Sequence, residues 1–133
     1  MCGILGVISK NNTTNHQRFL NALNLMEHRG PDGFGVLHNQ HISFGHRRLS
    51  IIDLSTSANQ PLSTNEQKLS IVFNGEIYNY RELQKELVEA GHVFKSKSDT
   101  EVFLAGVDYW GLAATLQKIN GMFAIALWDR AQK

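Results

Sequence analysis

This 133-residue sequence is poor in four things, and each shortage removes a class of protein. It has one cysteine, so no internal disulfide can form and a disulfide-stapled secreted scaffold is excluded. Thirteen Lys and Arg against twelve Asp and Glu leave a formal net charge of +1, too little to suggest nucleic acid or an anionic membrane as a partner. The tight basic cluster His46-Arg47-Arg48 is local. No apolar run approaches the ~20 residues of a membrane span, and the N-terminus lacks the charged-then-apolar layout of a signal peptide. Two prolines, no Pro/Gly/Ser-rich linker and no repeat leave nothing to divide the chain, which reads as one domain. The expectation is a reduced, cytoplasmic protein. With 42% hydrophobic residues it has enough apolar material for a core.

Strand and helix signals alternate. GILGVIS (3–9), the pair FGVLH (34–38) and HISFGH (41–46), KLSIVFNG (68–75) and MFAIALWD (122–129) predict strands, the middle pair as a hairpin around Asn39-Gln40. A helix is predicted from Asn15 to Arg29 with Phe19, Leu23 and Met26 on one face, stopped by Gly30-Pro31. A second starts at Asn79, with Glu82 completing a variant capping box and Leu83 and Leu87 as its buried stripe. A third starts at Asp99, read as its N-cap, and runs through Val102, Phe103 and Val107. Paired strands with intervening helices point to an α+β layered domain.

Cys2 stands directly behind Met1. If Met1 is removed, residue 2 carries a thiol and a free α-amine together. The amine titrates near ~7.7–8.0 and the thiol near ~8.5, so the amine can take the thiol proton at neutral pH with little mismatch. That pairing is the chemistry of an N-terminal nucleophile. The competing reading of Cys2 is a small apolar residue at the start of a strand. No Gly-x-Ser-x-Gly elbow offers a serine alternative, and His16, His38, His41 and His92 form no metal-ligand pattern, so no metal is expected.

The stretches HRGPDG (28–33), GHRRLSIIDLS (45–55), NQPL (59–62), FNGEIYNY (73–80) and SKSDTEVFL (96–104), in this order, resemble the class II glutamine amidotransferases. The likeness is greatest to the N-terminal glutaminase domain of glutamine-hydrolysing asparagine synthetases and of their relatives in bacterial polysaccharide synthesis. It covers residues 2–133. It implies an N-terminal nucleophile hydrolase fold, two antiparallel β-sheets sandwiched between helical layers. It also implies L-glutamine as substrate and Cys2 as nucleophile.

Glutamine has a neutral amide at one end and a zwitterion at the other, so its partners should differ. An amide's tetrahedral intermediate calls for preorganised neutral donors, and the resemblance assigns these to the Asn74 side chain and the Gly75 N–H, glycine also leaving room for close approach. An α-carboxylate calls for a guanidinium fork, which the resemblance assigns to Arg48. In an extended segment Arg47 and Arg48 face opposite ways, so one of them serves the pocket. An α-ammonium calls for carboxylates and carbonyls, assigned to Glu76, Asp99 and the backbone around Ile52. HRGPDG, with Arg29, Gly30 and Asp32, reads as a staple of the loop after the first helix; the resemblance implies that it lies near Cys2, helps shape the pocket and takes some part in catalysis.

The resemblance further implies that ammonia passes to a synthetase domain, and that ATP and Mg belong to that domain and not to these residues. No Gly-rich nucleotide motif follows any strand here. Relatives usually continue beyond the GMFAIALWD strand, so these residues are expected to be an incomplete domain. An exposed apolar edge would then favour self-association into a homo-oligomer. Two other readings are a non-catalytic glutamine-binding or interaction module and an inactive fragment.

Overall fold

The computed structural model describes residues 2–9, 15–51 and 53–132. Six strands and four helices follow in the order β1 (Gly3–Ile8), α1 (His16–Asn24), β2 (Gly33–His38), β3 (Ile42–Arg48), β4 (Leu62–Ser63), β5 (Leu69–Ile77), α2 (Tyr80–Glu89), α3 (Asp99–Trp110), α4 (Leu112–Lys118) and β6 (Gly121–Asp129). They form two antiparallel three-stranded sheets, β1-β3-β2 and β4-β5-β6.

The two central strands explain the layering. Every residue of β3 is buried, as are Leu69 to Phe73 of β5, so both strands are covered on both faces. In β5 the odd positions Leu69, Ile71, Phe73 and Ile77 join Leu83, Leu87, Val102 and Phe103 in a core beneath α2 and α3. The even position Val72 meets Ile42 and Phe44 of β3 between the sheets. On the outer side of the first sheet, Gly45 lets Phe19 and Leu23 of α1 lie against β3: a Cβ there would stand 2.9 Å from Leu23. The result is helix, sheet, sheet, helix: the layered α+β domain expected from the element pattern, in the two-sheet sandwich that the resemblance implied.

The β2–β3 hairpin closes at Asn39, whose Oδ1 accepts from the N–H groups of His41 and Ile42 at 2.8 and 2.9 Å. Local capping differs from expectation in three places. The first helix ends at Asn24 rather than Arg29, and Glu27–Arg29 forms a separate 3₁₀ turn. Arg47 reaches across to donate to the Leu23 carbonyl at 3.3 Å and to Asn24 Oδ1 at 2.5 Å, satisfying the helix end from outside. Asn79 precedes α2 but does not cap it; its side chain donates to the Lys118 carbonyl and accepts from Asn120 N–H, tying α2 to the α4–β6 link. Ser98, not Asp99, caps α3. β4, α4 and a 3₁₀ turn at Thr56–Ala58 are additions to the elements predicted.

Among the described residues β6 has β5 on one side and no strand on the other. Met122 is 55% exposed and Phe123 37%, whereas Ile125 and Leu127 pack against the core under α2 and α3. No helix is long and apolar enough to cross a membrane among the described residues.

Candidate active site

Cys2 lies immediately ahead of β1. The Gly3↔Arg47 register brings it beside the end of β3, where Leu49 N–H donates to Cys2 Sγ at 3.3 Å and the thiol points back at the Leu49 carbonyl at 3.6 Å. HRGPDG wraps this point. Arg29 Nε donates to the Cys2 carbonyl at 3.2 Å, Asp32 N–H to the Arg48 carbonyl at 3.0 Å, and Ser50 N–H to Asp32 Oδ2 at 2.8 Å. At Gly30 a Cβ would collide with the Arg47 backbone, so glycine is what lets the loop pass. The loop staples the surroundings of Cys2.

Strand alternation separates the two arginines. Arg47 faces α1, while Arg48 faces the interior between the sheets. Arg48 Nη1 donates to the Ser55 carbonyl and to Asn59 Oδ1, each at 2.7 Å, and Nη2 to the Asp53 carbonyl. Three of its five N–H groups thus organise the 53–59 segment, and Nε–H and one Nη2–H have no partner among the described residues. Asp53 is itself held by the N–H groups of Ser55 and Lys97, each at 2.7 Å. Hydrogen bonds from Ser55 and Lys97, aided by the Arg48 cation, lower its pKa to about 2.

On the second sheet, β5 carries Asn74, Gly75 and Glu76 in succession. Asn74 Oδ1 is buried with no hydrogen-bond partner among the described residues. At Gly75 a Cβ would run into the Met122 carbonyl and Phe123, so β6 packing by itself already requires glycine here. Asp99, the first residue of α3, is 5% exposed, and its Oδ2 accepts from Ile77 N–H at 3.0 Å. Burial is the largest cause raising its pKa, and the neighbouring Glu76 carboxylate adds to it, against hydrogen bonds from Ile77 and Thr100.

Cys2, Arg48, Asn74, Gly75, Glu76 and Asp99 all line one cavity of about 130 Å³. Ile52 and Met1 lie outside the described residues. The cavity is well below the ~300 Å³ where pockets for drug-sized ligands begin, so it suits a compact ligand. A groove of about 270 Å³ lined by other residues of α3 shares none of these residues, and several of its charges are engaged: Lys68 stands 3.9 Å from Asp108, and Glu101 accepts from the Lys95 and Ser96 N–H groups. Among the described residues no three His, Cys, Asp or Glu side chains gather as a metal would require.

The cavity also contains His46, Gln60 and Thr100, to which the sequence reading gave no role. His46 is two residues before Arg48 on the same strand, a spacing that puts both on one face and was open to reading in the sequence. It is 1% exposed, and neither ring nitrogen has a hydrogen-bond partner among the described residues. Burial lowers its pKa to about 4; the Phe73 backbone opposes this, and the Arg48 charge reinforces it. The ring is neutral at physiological pH.

Two antiparallel sheets between helical layers, with one cavity lined by Cys2, a guanidinium and two carboxylates, have the architecture of an N-terminal nucleophile hydrolase-like fold. The whole of residues 1–133 matches the glutamine amidotransferase domain family, and the chain belongs to it. It is 44% identical to asparagine synthetase [glutamine-hydrolyzing] 1 of Bacillus subtilis over 98% of this chain and 21% of that protein. It is 41% identical to a putative glutamine-hydrolyzing asparagine synthetase of Mycobacterium tuberculosis, over 97% of this chain and 22% of that one. The chain therefore spans about a fifth of the length of these relatives. The fold superposes on glutamine PRPP amidotransferase from B. subtilis with a TM-score of 0.73 at 20% identity, covering 96% of this chain and 34% of that one.

Proposed function

We propose that this domain hydrolyses the side-chain amide of L-glutamine through a thioester on Cys2. The observation that supports it most is the convergence of Cys2, Arg48, Asn74, Gly75, Glu76 and Asp99 on one cavity from both sheets and α3. The cavity is chemically two-ended. Cys2 with Asn74 and Gly75 serves an amide, and Arg48 with Glu76 and Asp99 serves a zwitterion.

The Cys2 sulfur attacks the amide carbon while the α-amine of the same residue takes the thiol proton. Negative charge on the former carbonyl oxygen is met by the Asn74 side-chain N–H and the Gly75 N–H; a donor of this kind is worth about 3 kcal/mol of barrier. The amine returns its proton to the departing ammonia, leaving the thioester, and water then releases glutamate and restores the thiol. The Nε–H and second Nη2–H of Arg48, without a partner among the described residues, hold the substrate α-carboxylate, and Glu76 and Asp99 receive its α-ammonium. Met1 must be removed for the amine to act.

By analogy with the glutamine-hydrolyzing asparagine synthetases among its relatives, the ammonia is delivered to an ATP-dependent amidation domain, and L-glutamine is the small-molecule partner. The test is glutamate formation from glutamine in the full natural protein against Cys2→Ala. Turnover is expected to vanish in the variant while glutamine binding persists, and equal turnover would refute the thioester. Intact mass supplies the companion measurement: protein retaining Met1 is expected to be inactive, and full activity with Met1 in place would assign the proton transfer to another base.

A further inference from the structure

The edge of β5 that faces the cavity is held by side chains where a strand is missing. β4 pairs with β5 only at Ser70 and Ile71, so past Ile71 that edge has no strand partner among the described residues. Phe73 N–H instead donates to Gln60 Oε1 at 2.6 Å, and Ile77 N–H to Asp99 Oδ2 at 3.0 Å. The two ends are linked. Gln60 Nε2 donates to Thr100 Oγ1 at 3.2 Å, and the Thr100 hydroxyl stands 3.5 Å from Asp99 Oδ1. Gln60, Thr100 and Asp99 are 8%, 2% and 5% exposed.

In an antiparallel ladder successive residues direct their N–H groups to opposite edges. Phe73, Gly75 and Ile77 therefore share one edge, while β6 takes the other; Tyr78 N–H, the next even position, goes to the Asn120 carbonyl at 2.7 Å. Gln60 occupies the amide before Gly75 and Asp99 the amide after it.

We propose that Gln60 and Thr100 are positioning residues of the glutamine site, which with Asp99 clasp the β5 edge from Phe73 to Ile77 and leave Gly75 N–H as the one amide there available to a ligand. The clasp ties the amide end of the cavity to the ammonium end, because the chain that steadies Phe73 also steadies Asp99. This rests on the glutaminase reading and assigns it two further residues.

The legs separate by substitution in the full natural protein. Gln60→Met cuts both. Amide exchange at Phe73 is expected to speed up about tenfold or more while Ser70, Val72 and the β6 amides keep their rates. In the same variant kcat is expected to fall about tenfold, and KM for glutamine to rise, through misplacement of Gly75 and Asp99. Thr100→Val leaves the bond from Phe73 to Gln60 and removes both the acceptor for Gln60 Nε2 and the contact with Asp99, so KM is expected to rise about fivefold with kcat within about twofold. Gln60→Glu keeps the acceptor for Phe73 N–H, but only its protonated form donates to Thr100. Burial raises such a carboxyl's pKa, so its activity relative to the parent is expected to climb as pH falls from about 8 to about 6. A purely structural glutamine would show this pH dependence in stability alone, with kcat/KM of the folded variant following the parent's profile. A parent protein without glutaminase activity would remove the reading on which the clasp rests. An active parent whose Phe73 exchange is unmoved in Gln60→Met, or whose Gln60→Glu deficit is independent of pH, would overturn the clasp alone.

Discussion

Arg47 and Arg48 are chemically identical neighbours, and strand phase alone separates their work. Arg47 closes the end of α1 and sits 5.2 Å from the Phe34 ring centre, so Arg47→Ala is expected to cost about 1–3 kcal/mol of stability and leave KM for glutamine near the parent value. Arg48→Lys keeps the charge and loses the fork. Its expected cost to glutamine binding is about 2–5 kcal/mol, read as a large rise in KM with kcat less affected. Should Arg47→Ala raise KM and Arg48→Lys leave it unchanged, the assignment of the carboxylate is reversed. The opposite facing of this pair was legible in the sequence because alternation follows from the extended backbone. The bonds from Arg48 to Asp53, Ser55 and Asn59 were not, since they depend on an irregular segment whose path no periodicity encodes.

At the scale of elements, the start of α3 divides two tasks between adjacent residues. Ser98 Oγ accepts from Thr100 N–H at 3.2 Å, so Ser98→Ala is expected to lower stability by about 1 kcal/mol in chemical denaturation. Asp99 is thereby released from capping to face β5. Burial raises its pKa, which means its charge opposes folding: the stability it contributes is present at low pH and is lost as pH rises through the folded-state value. Asp99→Asn is therefore expected to be as stable as the parent or more so at neutral pH, while binding glutamine more weakly. A melting temperature well below the parent's would contradict that sign. The main strands and helices were legible from β-branched runs and from the Leu83/Leu87 stripe. Cap assignments were not, because Ser98 and Asp99 are both competent N-caps and only the nearness of Ile77 on another element decides between them.

For the whole molecule, the weak point at low pH lies between the sheets. His46 is neutral in the fold with its pKa near about 4 and takes a proton near 6.5 when unfolded. The unfolded state binds the proton first as pH falls, so this stability is complete above about 6.5 and declines toward about 4, by up to about 3 kcal/mol. His46→Leu is expected to flatten that limb in denaturation midpoints measured across pH, and a limb of unchanged slope would assign it to other groups. The α+β class was legible because alternating buried strands and amphipathic helices require layers. The β2–β3 pairing was legible from the two-residue turn at Asn39-Gln40, but the other strand neighbours were fixed only by packing, and with them the depth at which His46, Gln60 and Thr100 would lie.

The central claim is that Cys2 forms a covalent bond with glutamine. Its most direct test is mass spectrometry of the full natural protein, acid-quenched during turnover and digested. A γ-glutamyl adduct is expected on the peptide that begins at Cys2, with Met1 absent, and it should disappear when the thioester is treated with hydroxylamine. Sustained glutamate production with no adduct at Cys2, or with the adduct on another residue, would contradict the account.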